Sequence, residues 1–262
     1  MKVSDVIRAI EKAAPLQLQD DFDNSGLQVG FPDAPVHRVL TCLDITEAVL
    51  EEAAGSGCDM IVSHHPLLFH PLRQVICATY QQRCVVKAVK EGIAVYSAHT
   101  SLDNAPGGVN YRLASMLGLK DVGWLQARPC CDGGSGVVGT LPSAMADNDF
   151  LAMLKQAFGV ECLRHTAPCG KTVSRVALCG GSGAFLMKDA LAAGADVFVT
   201  GEFHYHDYFE SDGMLLAELG HYQSEKCTVE LLGEIISREL PGLPVVPTSL
   251  NTNATCYDAF QV

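Results

Sequence analysis

Positive charge is scarce in this chain. Eighteen Lys and Arg stand against thirty Asp and Glu, a formal net charge of −12. No run of basic residues reverses that balance locally. Long-range electrostatics therefore works against nucleic acid and anionic membranes, and neither is expected as a partner. An anionic substrate would need bound metal or backbone N–H groups to attract it. Charged residues of both signs reach only 18%, below the usual quarter of a soluble domain. Such a surface suits partial cover by a subunit neighbour. No apolar stretch reaches the roughly 18 residues that span a membrane. The G-x-S-x-G turn of serine hydrolases is missing, and no Cys–His nucleophile arrangement stands out. No CxxC pair occurs among the eleven cysteines. Their odd number and the chain length argue against a disulfide framework, and free thiols in a reducing cytoplasm are expected. The opening MKVSDVIRAIEKAAP reads as an amphipathic helix with Val3, Val6, Ile7 and Ile10 on one face, not as a secretory leader.

What is present is a core-forming composition and a repeat. The chain has 262 residues, 48% of them hydrophobic, enough for one large or two small cores. Residues 36–65 align without a gap to residues 173–202, at an offset of 137. Identities fall at Val36/Val173, Arg38/Arg175, Val39/Val176, Cys42/Cys179, Ala53/Ala190, Gly57/Gly194, Asp59/Asp196 and Val62/Val199. Each copy reads as an apolar strand, a helix-period segment ending at Gly, and a second apolar strand. That is a βαβ unit with a right-handed crossover. A helix near Gln81–Glu91 and a strand Ile93–Ala98 follow the first copy. A short helical or loop stretch and a strand Met214–Leu219 follow the second. The fold class expected is α/β with two related, interlinked lobes. The turn-rich RPCCDGGSG at Arg128–Gly136 marks the expected boundary. It gives a first lobe over 1–127, a second over 128–217, and a C-terminal segment, 218–262, that packs back on the first.

Ligands of open α/β sheets bind beyond the carboxyl ends of the strands. Four expected strands end in residues that can hold a metal. These ends are Ser63-His64-His65-Pro66, His99 through Asp103, Thr200-Gly201-Glu202 with His204 and His206 beyond, and Gly220-His221 through Glu225. His221 and Glu225 are four residues apart, so a helix there puts both on one face. Pro66 forces a turn that can redirect His64 and His65 to one side. A carboxylate can bridge two cations about 3.5–4 Å apart, and such pairs generate hydroxide and clamp both reacting atoms. Blander readings stand beside these. Asp103 can cap a turn with Asn104 and Pro106, and His221/Glu225 can be a surface pair. Cys179-Gly180-Gly181-Ser182-Gly183 is either a backbone nest for an anion or a tight structural turn. The carboxylate-rich loop Asp20–Asn24 either reaches the site or forms an Asx turn.

Six motifs together resemble one known family. They are DNSGLQVG at Asp23–Gly30, SHHP at Ser63–Pro66, HTSLDNAPGGVN at His99–Asn110, CGGSG at Cys179–Gly183, TGE at Thr200–Glu202 and GHYQSE at Gly220–Glu225. In this order the chain is similar to the NIF-three-like (YbgI-like) family, whose members are labelled GTP cyclohydrolase 1 type 2 homologues. The resemblance implies two α/β lobes with a dinuclear metal centre in the cleft between them. Its ligands would be His64, His65, Asp103, His221 and Glu225, with Glu225 bridging. It also implies a homo-hexameric ring. Phe22 stands where many relatives carry Trp, and the chain is too short for the domain that longer relatives insert. The ions, Zn, Mn, Fe or Ni, are not distinguished by three His and two carboxylates. The expected function is a cytoplasmic metal-dependent hydrolase acting through metal-bound hydroxide on a small-molecule substrate. Glu202, His99 or His206 would move the proton, with Glu202 serving as an outer partner of a ligand. The alternative is a non-catalytic metal-binding scaffold or regulatory ring protein. GTP as substrate has no support in the residues, because no Lys/Arg cluster lies near the motifs.

Overall fold

The computed structural model describes residues 1–129 and 131–256. Helix α1 (Val3–Ala13) opens the chain and buries Val3, Val6, Ala9 and Ile10. Ile7, counted on that face from the sequence, is only partly covered. The chain then lays down β1 (Gly26–Val29), β2 (Val39–Cys42), α2 (Glu47–Gly55), β3 (Met60–Ser63), α3 (Tyr80–Glu91) and β4 (Ala94–Ser97). Every residue of β2, β3 and β4 is buried, as a parallel sheet covered on both faces requires. Thr46 and Thr79 cap α2 and α3 through their side-chain oxygens.

The short α4 (Thr100–Asp103) and α5 (Val109–Met116) lead to a second sheet. It is built from β5 (Lys120–Ala127), β6 (Gly134–Ala146), β7 (Arg164–His165), β8 (Thr172–Cys179), β9 (Val197–Thr200) and β10 (Leu215–Glu218), with α6 (Asp147–Phe158) and α7 (Met187–Ala192) between strands. Helices α8 (His221–Glu225) and α9 (Thr228–Glu239) return the chain to the first sheet, where β11 (Val245–Pro247) pairs parallel to β2. The sheet orders are β1-β4-β3-β2-β11 and β5-β6-β8-β9-β10-β7. The expected boundary therefore falls between β5 and β6, antiparallel neighbours of the second sheet, and its residues Gly134–Gly136 already belong to β6. The passage between sheets comes before Lys120, earlier than the 127/128 boundary that turn composition suggests.

The two βαβ units keep one register. Val39 lies opposite Met60, and Val176 opposite Val197. Asp59 Oδ2 accepts the backbone N–H of His37 (2.6 Å) and Arg38 (3.1 Å). Asp196 Oδ2 accepts those of Ser174 (2.9 Å) and Arg175 (2.8 Å). Each of these positions is shifted by 137 residues. One core cluster runs through both sheets, holding Val39 and Val62 with Val176 and Val199. No helix among the described residues is long and apolar enough to cross a membrane. In both sheets the parallel strands deliver their carboxyl ends to metal-competent residues. His64 follows β3, His99 follows β4 by two residues, Gly201 follows β9 and His221 follows β10 by three.

Candidate metal centre

Local chemistry turns each strand end inward. Ser63 Oγ and Ser97 Oγ both donate to the His65 carbonyl, at 2.8 and 3.2 Å. The chain curls before Pro66, and the His64 and His65 rings sit 4.9 Å apart. Asp103 ends α4. Gly220 stands before α8 at φ 91°, a conformation few L-residues adopt. Helix α8 then sets His221 Nε2 3.0 Å from Glu225 Oε2.

The five residues form two groups that share Glu225. His65 Nε2 and His221 Nε2 each lie 3.0 Å from Glu225 Oε2. His64 Nε2 lies 3.6 Å from Glu225 Oε1 and 3.7 Å from Asp103 Oδ1. Those last separations are too long for hydrogen bonds. They suit two atoms bound to one ion, since donors each about 2.1 Å from a metal stand about 3.4–3.6 Å apart. Among the described residues His64 Nδ1, His64 Nε2 and Asp103 Oδ1 are buried without a hydrogen-bond partner. Unpartnered buried nitrogen and carboxylate oxygen are costly, and a cation would satisfy both. His65/His221/Glu225 and His64/Asp103/Glu225 are thus each able to hold a metal ion, as is His64/His65/His99.

The protonation states follow from burial and neighbours. Burial holds His64 down to about 4, against the pull of Glu225. Burial also opposes charge on His65, but Asp44 and Glu225 raise it to about 10. Asp103 is pushed well above the carboxylate range by burial and by the Glu225 charge. Burial would raise Glu225 too, yet its three histidines hold it well below. Without a cation the two buried carboxyls cannot both ionise easily, and a cation removes that conflict.

Outer groups fix the rings. His65 Nδ1 donates to Asp44 Oδ1 at 2.6 Å, and Thr252 Oγ1 holds the other oxygen at 2.7 Å. Sequence reading passed over Asp44. It sits just past the end of β2, the right kind of place, but between Leu43 and Ile45 it has no metal-competent neighbour to draw attention. Glu202 Oε1 lies 3.2 Å from His221 Nδ1, and Ser182 Oγ holds its other oxygen at 2.9 Å. His99 Nδ1 donates to Asp23 Oδ1 at 2.7 Å, so the Asp20–Asn24 loop does reach the site. The Asp23 side chain is fully buried and also accepts from Thr100 and Ser25. Burial would raise its pKa, but His99 and these hydroxyls hold it well below the ordinary range. The ring of His99 lies 5.4 Å from that of His64 and 5.6 Å from that of His65.

The structure corrects one reading of the sequence and decides between two others. His206 is not brought to the cluster. It belongs to the turn Tyr205–Glu210, where His204 N–H bonds Asp207, and its exposed ring packs on Tyr205 and Phe209. The CGGSG loop is a structural turn, not an anion nest. The N–H groups of Gly180, Gly181 and Gly183 bond Asn110, Ser224 and Thr200. Its glycines make room for the cluster: a Cβ on Gly181 would meet Glu225 Oε1 at 2.3 Å.

Two cavities meet at this cluster. The smaller, about 420 Å³, is lined by His65, His99, Asp103, His221 and Glu225 together with Phe22, Phe69 and Phe185. The larger, about 1030 Å³, holds Asp44, Glu202, His204, Asp207, Glu218 and Arg164. Arg164 is paired to Glu218 at 2.8 Å.

Fold and site together define a two-sheet α/β protein with clustered histidines and carboxylates that could hold metal at the carboxyl ends of its strands. The family model Duf34/NIF3 (NGG1p interacting factor 3) matches residues 1–254, and the chain belongs to that family. A Streptococcus pneumoniae protein named GTP cyclohydrolase 1 type 2 homolog is 34% identical, over 97% of this chain and 98% of its own. A Clostridium perfringens protein of the same name is 35% identical, over 86% of this chain and 87% of its own. Among solved structures, a Staphylococcus aureus protein superposes with a TM-score of 0.91 at 27% identity, covering 98% of this chain and 99% of its own. Reduced HcgD from Methanocaldococcus jannaschii gives 0.80 at 27% identity, covering 95% and 98%.

Proposed function

We propose that this protein is a cytoplasmic metal-dependent hydrolase that holds two divalent ions between related lobes and acts on a small molecule. The observation that carries this reading is the shared carboxylate: the two oxygens of Glu225 face two separate groups of nitrogen and oxygen atoms. A bound divalent pair, Zn, Mn, Fe or Ni, supplies Lewis acidity and a water acidified toward neutral pH. The chain supplies the rest. Asp44 and Glu202 orient His65 and His221 from behind, the usual task of outer carboxylates. Asp23 accepts a hydrogen bond from His99 Nδ1, which leaves His99 Nε2 as the nitrogen turned to proton transfer at the cluster. Of the two histidines expected for that role, His99 is the one at the cluster.

GTP ring opening is not adopted. The two cavities carry one Lys or Arg side chain between them, Arg164, already bound to Glu218. A ring of six copies is part of the reading, checked by sedimentation. A second reading rests on His99. With its nitrogen grouped with those of His64 and His65, it can close the coordination of one ion, which suits a scaffold or regulatory ring better than an enzyme.

The test is metal content. Two ions per chain are expected by elemental analysis, with fewer in His64→Ala, Asp103→Ala and Glu225→Ala. An unchanged count in all three variants ends the assignment. Turnover of any amide, ring C–N or phosphoester substrate by the reloaded protein separates enzyme from scaffold.

A further inference from the structure

Three phenylalanines lie where the fold has no use for them. Phe22 is 66% exposed, Phe69 38% and Phe185 63%. None belongs to a hydrophobic core cluster of the described residues. All three nevertheless line the same small cavity as His65, His99 and Glu225. Phe22 precedes β1 and Phe69 follows β3, whereas Phe185 comes from the second βαβ unit. Two of them already stand in aromatic geometry. Phe22 and Phe69 meet edge to face at 6.4 Å, and Phe69 meets His99 perpendicularly at 5.9 Å.

The polar lining is occupied elsewhere. Asn104 donates to the Leu18 carbonyl and accepts from Ser135. Asn110 donates to the Asp103 carbonyl and accepts from Gly180 N–H. Asp20 is paired with Arg128. No Lys or Arg lines this cavity. What remains to recognise a ligand is aromatic surface at the mouth and the cluster at the floor. Cavities of a few hundred Å³ with apolar walls and a few convergent polar groups hold small molecules.

We infer that this cavity takes an uncharged aromatic or heteroaromatic ring, gripped by Phe22, Phe69 and Phe185, with the polar group to be cleaved directed at the metal cluster. The inference rests on the metal-dependent reading above. Ring-to-ring contacts at centroid distances of about 4.5–7 Å add attraction beyond burial.

The probes are benzohydroxamate and acetohydroxamate, which offer a metal the same chelating group and differ in the ring. Calorimetry on zinc-loaded protein is expected to find benzohydroxamate bound about 10-fold tighter. Phe22→Ala and Phe185→Ala should each cut that preference to about 3-fold or less, at unchanged zinc content by elemental analysis. Equal affinities on zinc-loaded wild type overturn the ring site and leave the metal centre standing. A chain that takes up no zinc ends both readings. Variants that change the sedimentation of the protein but not its preference assign the rings to subunit packing and overturn the inference.

Discussion

Gly181 shows how one missing side chain positions the centre. Its φ of 59° is left-handed, and a Cβ there would press on the Glu225 carboxylate shared by two of the groups that could hold metal. Gly194 has nearly the same backbone angle, 66°, but open space around it. Replacing either with Ala costs about 1–2 kcal/mol of backbone strain. Only Gly181→Ala also displaces Glu225. The two variants should therefore lose similar stability in urea unfolding, while Gly181→Ala alone loses metal. Equal metal content in both would mean Glu225 is not held where the loop leaves room for it. The same contrast explains why the loop is ambiguous in the sequence. A glycine cluster signals close approach or a special φ, but not what approaches.

At the scale of elements, the βαβ units were legible because strand and helix periods differ and the apolar runs are uninterrupted. Val39–Cys42 and Met60–Ser63, with their counterparts 137 residues on, are buried at every position. The hairpin β5–β6 was not legible. Its exposed and covered residues mix, and Gly134 and Gly136 read as turn residues although they lie inside one 13-residue strand. The strand ends that could hold metal were visible as clustered His, Asp and Glu, whereas Asp44 and Asp23 gain their partners only through tertiary contact.

The C-terminal return shows a further contact of that kind. Glu52 on α2 accepts from Thr248 Oγ1 and from Ser249 N–H (2.7 Å) and Oγ (2.6 Å), just beyond β11. Burial raises the Glu52 carboxyl somewhat, but these hydrogen bonds outweigh it and lower its pKa below the ordinary 4.5. A depressed carboxyl contributes stability that is complete above its unfolded value and is lost as pH falls through the folded one. The Ser249 amide resonance, followed by NMR, should stay constant down to pH 5 and move with a midpoint below 4.5. Glu52→Gln should abolish that titration. A midpoint at or above 4.5 would mean the segment is not held by the ionised carboxylate.

For the whole molecule, bound metal would act as a clamp. His64, His65 and Asp103 extend from the first sheet, and His221 and Glu225 sit on the helix by which the chain leaves the second. Two buried carboxyls face one another there, the one raised and the other lowered. Metal bound only by the folded state stabilises it by about 2.7 kcal/mol at a free concentration 100 times Kd. For a protein of this size that corresponds to roughly 5–10 °C in Tm. Chelation should lower the calorimetric Tm by about that amount, and restored metal should recover it. Asp103→Asn sharpens the test. The amide carries no charge against Glu225, so the metal-free variant should unfold no earlier than metal-free wild type. Chelator should then matter less to it than to wild type, because one of the two groups that could hold metal has lost a residue. A wild-type sample shown to hold metal, yet with the same Tm after its removal, would place the ions outside the fold's energetics. An Asp103→Asn variant less stable than wild type without metal would show that the buried Asp103 carboxyl itself contributes to the fold and is not relieved by a cation.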